Sequence, residues 1–294
     1  MWHRPMLLLA LLLSLSAAAQ DDVGTPAAPA LPTSPHAEDL RGGLLSARSL
    51  GMGGAWRALG LGADAGTGNP AALAAFRSYR IELTGFWDWV GKDASGSVSI
   101  ADATNPLAAG VSQQLITLGK GSERATAHLN TVSLALPLGE ALMIGVSSRY
   151  LIMRGAREAN AFTGDAGLLL RLGLVSLGVG AYNLIDTQNP ELTRYYSAHA
   201  AVLAGALTLA GDVRADFTTN ARTTLVYSGG LEYVFGDNFP LRGGYTWNGF
   251  TQSSEMGLGF GLMTSGGGFD LAYHQDFGGE RGRSVALTIK VQIR

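Results

Sequence analysis

Residues 79–89, YRIELTGFWDW, alternate without a break. Tyr79, Ile81, Leu83, Gly85, Trp87 and Trp89 share one face, and Arg80, Glu82, Thr84, Phe86 and Asp88 share the other. A period of two over this length is the pattern of a β-strand with one apolar and one polar face. The stretch SVALTIKVQI at 284–293 repeats it, setting Val285, Leu287, Ile289, Val291 and Ile293 against Ser284, Ala286, Thr288, Lys290 and Gln292. Segments between these ends follow suit. Leu142, Ile144, Val146, Tyr150 and Ile152 oppose Met143, Gly145, Ser147, Arg149 and Met153, and Met256, Leu258, Phe260 and Leu262 oppose glycines 257, 259 and 261.

Read this way, strands are expected at 79–89, 95–102, 108–117, 126–136, 141–153, 164–171 and 174–184. They continue at 195–204, 206–217, 223–235, 240–248, 254–264, 267–276 and 284–293. Fourteen is an even number, as a bacterial barrel with both wall ends on the periplasmic side requires. Twelve is the alternative count, since 108–117 and the tight pair 164–171 and 174–184 alternate least clearly. Pro137 to Glu140, Gly236 to Asn238 and Ser265 to Gly267 read as hairpin turns on the periplasmic side. The stretches 118–125, 154–163, 185–194, 249–253 and 277–283 read as short extracellular loops.

The polar faces distinguish a membrane barrel from a soluble sandwich. Only 15% of residues are charged and mean hydropathy is +0.17, where a soluble domain carries roughly a quarter charged. The polar faces use Ser, Thr, Gly and Ala, with isolated charges of both signs at Arg80, Glu82, Arg149, Arg171, Asp212, Arg214, Asp216, Glu232 and Arg242. Such charges suit a confined polar lumen, where they pair across the interior. Aromatics near strand ends, among them Trp87, Trp89, Tyr150, Tyr233, Phe235, Tyr245, Trp247 and Tyr273, suit the interfacial girdles. The competing reading packs them in the core of a periplasmic β-protein. It needs a second layer over the apolar faces, and the sequence offers none. The fold class is therefore all-β, a transmembrane antiparallel β-barrel.

The N-terminal quarter reads differently. Arg4, the apolar run Met6 to Leu15 and Ala17-Ala18-Ala19 form an export signal, residues 1–19, cut near Ala19 or Gln20; a retained anchor is the alternative. Prolines 26, 29, 32 and 35 make 20–38 an extended lead. Residues 39–76 are rich in Gly and Ala with short apolar pieces, suited to one or two short helices, and 77–294 hold the barrel. The 39–76 segment is too apolar for a free tail and lacks strand alternation, so it is expected inside the lumen as a plug. There Arg48 or Arg57 would pair with Glu82, Asp212 or Glu232.

Cysteine is absent, which excludes a disulfide scaffold. A net charge of −2 without a basic patch gives no footprint for nucleic acid. Histidines 3, 36, 128, 199 and 274 lie in scattered segments with no HExxH, and no GxSxG occurs. Asp212, Arg214 and Asp216 share a strand face and read as lumenal ion-pairing groups. Neither an enzyme nor a cofactor or metal is expected.

At 47–74, ARSLGMGGAWRALGLGADAGTGNPAALA, the chain resembles the opening of the FadL-like family of outer-membrane transporters of hydrophobic compounds. It looks closest to the small PorV-like members. The matching positions are Ala47-Arg48, Leu50 to Ala55, Asp64, Asn69-Pro70-Ala71 and Leu73. Further along are Asp165 to Leu169, Leu177-Gly178, Tyr182-Asn183-Leu184, Leu231-Glu232-Tyr233, Leu241 to Tyr245 and Phe269 to Tyr273. The resemblance implies a fourteen-stranded barrel in the bacterial outer membrane, with an N-terminal plug carrying Arg48, Gly51, Gly53, Gly54, Asn69 and Pro70. It implies plug-gated passive passage of small hydrophobic ligands. Its small members imply the alternative of a non-enzymatic partner that anchors or shuttles secreted proteins; a purely structural barrel is a third reading.

Overall fold

The computed structural model describes residues 46–60, 62, 65–185, 190–217, 223–249, 252–278 and 282–293. The expected signal peptide, the proline-rich lead, residues 39–45 and Asp64 lie outside them.

Fourteen strands form the wall. The first seven are β1 Tyr79–Asp88, β2 Asp93–Asp102, β3 Ala108–Leu118, β4 Ala125–Leu138, β5 Leu142–Gly155, β6 Ala159–Leu172 and β7 Val175–Tyr182. The second seven are β8 Tyr195–Ala204, β9 Leu207–Asp216, β10 Thr224–Phe235, β11 Phe239–Asn248, β12 Ser253–Thr264, β13 Gly267–Asp276 and β14 Arg283–Ile293. Each pairs with its neighbours in sequence, and β1 pairs antiparallel with β14 to close the barrel. The count is fourteen, and the alternative of twelve is excluded.

Two local expectations need correction. β6 begins at Ala159, so the loop expected over 154–163 is a short turn between Gly155 and Ala159. Residues 159–163 do alternate, but small Ala159 and Ala161 face inward while Asn160 faces out. A strand with little hydrophobic contrast reads as a loop. β4 also continues through Pro137 to Leu138, placing the proline one residue from the strand end, where few ladder bonds remain to be lost.

Alternation divides every strand between two environments. Outward residues such as Leu83 and Ile289 are about half exposed, 53% and 50%; their strand neighbours Glu82 and Thr288 are buried. Among the described residues no second layer covers the outward faces, and closure leaves no edge for a lipid to meet. An apolar outside around a polar inside is the design of a bacterial outer-membrane barrel. The barrel end bearing Tyr79 and Ile293 also carries the tighter turns, which marks it as periplasmic.

At the closing seam Thr84 lies opposite Thr288, with their hydroxyl oxygens 3.0 Å apart inside the lumen. Cysteines replacing these two threonines are expected to crosslink in the folded protein and shift its mobility on a non-reducing gel. Absence of a crosslink there and one register step to either side, in folded protein, would refute the seam.

The described residues between 46 and 76 line the inner face. They hold a one-turn helix, α1 (Ala47–Gly51), a second, α2 (Ala65–Gly68), and a 3-10 segment, Pro70–Ala75. Ser46 caps α1 through its hydroxyl, and Asn69 caps the 3-10 segment by accepting from the Ala71 amide. Helices this short have no stability of their own; packing against the wall holds them. Ala47 and Leu50 meet Ala272 and Ala286, and Met52, Trp56, Ala58 and Leu59 meet Ala201. Ala71, Ala72, Leu73 and Ala75 pack with Ala108, Ala135, Met143 and Leu169.

Candidate functional site

The inner segment meets the wall at two separate places. The first, under α1, is built on charge. Arg48 donates to both carboxylate oxygens of Glu232, at 2.7 and 3.0 Å. Arg242 donates to the same carboxylate at 2.5 Å and to Asp270 at 2.8 Å, and Lys290 reaches the other Asp270 oxygen at 2.5 Å. Five side chains thus form one alternating line from the inner segment across β10, β11, β13 and β14. Each anion sits between two cations, which is what makes burial of Arg242, Glu232 and Asp270 tolerable. Two backbone contacts add to it: the Ala47 amide donates to Thr288 Oγ1 at 2.9 Å, and Thr246 donates to the Gly53 carbonyl.

Further along, Arg57 and Asp212 pair at 3.1 Å, and the Asp212 carboxylate also accepts from the backbone amides of Trp56 and Arg57. The Arg57 guanidinium lies 5.6 Å from the Trp56 ring centroid. The plane of Tyr182 stacks on Tyr195 at 4.3 Å, with an interplanar angle of 6°.

The second anchor, around the 3-10 segment, centres on the neutral Asn69 side chain, with arginines reaching backbone carbonyls on either side of it. The Asn69 side-chain amide donates to the Leu168 carbonyl at 3.2 Å and to His199 Nε2 at 2.8 Å. That donation places the histidine proton on Nδ1, which faces Ser197 Oγ at 3.3 Å, and Ser197 in turn donates to the Tyr182 hydroxyl. Arg149 pairs with Asp165 at 2.7 Å while donating to the Thr67 carbonyl, and Arg171 donates to the Ala75 carbonyl. Wall glycines make room here. A Cβ at Gly145 would strike the Pro70–Ala71 peptide, and one at Gly167 would strike the Asn69 side chain.

Of the residues singled out in the sequence, Arg48, Glu232 and Arg242 come together in the first anchor, Asp212 holds Arg57, and Arg149 stands with the second anchor. Arg80, Glu82, Arg214 and Asp216 share the inward side of β1 and β9. Gly51 lies against Gly259 and Gly53 against the Gly244–Tyr245 backbone, whereas Gly54 is less confined. Asp165, His199, Asp270 and Lys290 are not among the lumenal groups expected from the sequence, although Lys290 falls on the polar face of its strand and Asp165 and Asp270 lie in the matched motifs. Asp270 and Lys290 stand on inward positions of their strands, so face assignment extended to every charge would have found them.

Above these anchors, towards the extracellular end, the inner side of β3 to β6 changes character. Ile116, Leu118, Leu129, Leu151 and Met153 form a buried apolar cluster, and Leu192 from the β7–β8 connection sits on it. Arg157 pairs with Glu191 at 2.8 Å and pins that connection. Towards the extracellular end the lumen is therefore apolar along β3 to β6, above the buried Arg149–Asp165 pair.

No family model and no curated protein sequence matches the chain. Solved structures do. The toluene transporter TbuX of Ralstonia pickettii superimposes with a TM-score of 0.63 at 14% identity, over 85% of this chain and 98% of that one. The toluene transporter TodX of Pseudomonas putida gives 0.63 at 12% identity over 84% and 97%, and the monoaromatic hydrocarbon channel CymD gives 0.59 at 14% over 84% and 97%. At these identities the likeness is one of fold.

Proposed function

We propose that this protein is an outer-membrane barrel for the passive passage of small hydrophobic molecules, with residues 46–76 acting as the plug that gates it. The observation that carries the reading is the pairing of a lumen-seated segment with an apolar inner wall above it. A barrel that passed only ions or sugars would gain nothing from burying Ile116, Leu129, Leu151 and Met153 on its lumenal side. An apolar solute gains free energy on leaving water for an apolar surface. Three solved structures of the same fold are a monoaromatic hydrocarbon channel and two toluene transporters, which supports the same class of cargo. Arg48–Glu232 and Arg57–Asp212 are the contacts whose release would free the front of the plug.

Proteoliposomes carrying the mature chain are expected to take up radiolabelled toluene faster than empty liposomes, and to take up a sugar of similar size no faster. Equal toluene uptake by both preparations would defeat the transport reading.

A further inference from the structure

The contact between Asn69 and His199 depends on the charge state of the histidine. The Asn69 amide has one orientation open to it. Its Oδ1 accepts from the Ala71 amide to cap the 3-10 segment, so its Nδ2 is turned to the wall. Both Nδ2 hydrogens are used there, on the Leu168 carbonyl at 3.2 Å and on His199 Nε2 at 2.8 Å. Nε2 accepts only in the neutral ring, with the proton on Nδ1. That proton faces Ser197 Oγ at 3.3 Å, and Ser197 donates onward to the Tyr182 hydroxyl at 3.2 Å.

The slot leaves little room for another pose. Gly178 stands opposite His199, and a Cβ there would overlap the imidazole; one at Gly167 would overlap Asn69 Oδ1. Asn69 and His199 are both buried. A second proton on the ring would set an N–H against the Asn69 N–H at hydrogen-bond distance, and the neighbours do not offset it. Asp212, opposite His199 on β9, is held by Arg57, and Asp165 on β6 is held by Arg149. Arg214 on β9 lies opposite Ser197, and Arg171 on β6 reaches the Ala75 carbonyl. Tyr182 on β7 accepts from Ser197, and Tyr195 of β8 stacks on it.

We infer that His199 makes the seat of the plug acid-labile, holding Asn69 and the rear of the plug while the ring is neutral and letting them go when it takes a second proton. The inference rests on the reading of residues 46–76 as the gate. The seated ring has no place for that proton, whereas a ring released into a water-filled lumen takes it in the ordinary histidine range, at about 6.5. Acid therefore draws the equilibrium towards the released state, by up to about tenfold per pH unit below that value. Above it the seat is indifferent to pH.

The test compares full mature protein in planar bilayers at about pH 7.5 and about pH 5, a window in which carboxylates of ordinary acidity stay largely ionised. The ratio of open to closed time is expected to rise in acid, by up to about 30-fold. His199→Gln puts a carboxamide oxygen in the place of Nε2 and cannot titrate, so its ratio is expected to be the same at both pH values. His199→Leu leaves the Asn69 donor without its acceptor and is expected to show a high ratio at both. His274→Gln is expected to keep the acid response, which separates His199 from the histidine at the extracellular end. Heat-modifiability reports that each variant is folded. No acid response in the full chain, or an undiminished one in folded His199→Gln, would overturn the inference. So would the same response in protein lacking residues 46–75, because it would then arise in the wall. A deletion protein that is open beside an acid-insensitive full chain removes the latch and leaves the plug; one no more open than the full chain removes the plug and the latch with it.

Discussion

Deleting residues 46–75 is expected to leave a folded, heat-modifiable barrel whose conductance in planar bilayers rises several-fold over that of the full mature chain. The wall does not depend on the deleted stretch for its own hydrogen bonding, because every strand pairs with two other strands. The interior does depend on it. Eight strands give a lumen that side chains alone can fill, and roughly sixteen leave an aqueous channel. Fourteen lie between, so the space taken by Leu50, Met52, Trp56, Leu59 and Leu73 becomes water once they are gone. Equal conductance of the deletion protein and the full chain, both folded, would remove the plug from the mechanism and leave a barrel whose own wall sets its permeability.

A second expected result separates two adjacent glycines on one strand. Gly244→Ala should open the barrel substantially, while Gly243→Ala should behave as the unaltered protein. Gly244 faces inward, and a Cβ there would overlap the Met52–Gly53 peptide of the inner segment. Gly243 faces the lipid, and a Cβ there meets nothing within 4 Å. Backbone cannot yield as the tip of a long side chain can, so α1 must lift from β11. That lift strains the Arg48–Glu232 contact, and breaking one member out of a buried ion group costs about 3–5 kcal/mol. Conductance traces and protease accessibility of the inner segment read the difference. Matching behaviour of the two variants would show that α1 is not seated on β11 in the membrane.

The contrast between these glycines also marks what the sequence made legible. Period-two alternation revealed the wall almost strand for strand, because lipid and lumen impose opposite demands on successive residues. It faltered at 159–163, where alanines stand in for the usual hydrophobic contrast. The direction of each charge was readable from its strand face, so Glu232, Arg242 and Asp212 were placed inside. Their partners were only partly readable. Arg48 and Arg57 were candidates for three carboxylates, and choosing among them needs the register and the path of the inner segment. Asp270 and Lys290 join Arg242 through the spacing of β11, β13 and β14, a relation between distant parts of the chain. The His199–Asn69 contact spans 130 residues and has no local signature at all.

The single pairing between β1 and β14 carries a consequence for how the molecule is built. Thirteen of the fourteen interstrand ladders join sequence neighbours and form as hairpins, and only this last one joins the two extremes of the wall. Non-local pairing is the slow step in assembling such a sheet, because the chain must lose most of its freedom first. The inner segment divides between the two halves of the wall. Its rear, Asn69 to Ala75, touches β3 to β6, whereas Ala47 to Gly53 touches β10 to β14. The Arg48–Glu232 contact joins residues almost as far apart in sequence as the seam does, so seating of α1 and closure of the wall both require the C-terminal strands to be in place.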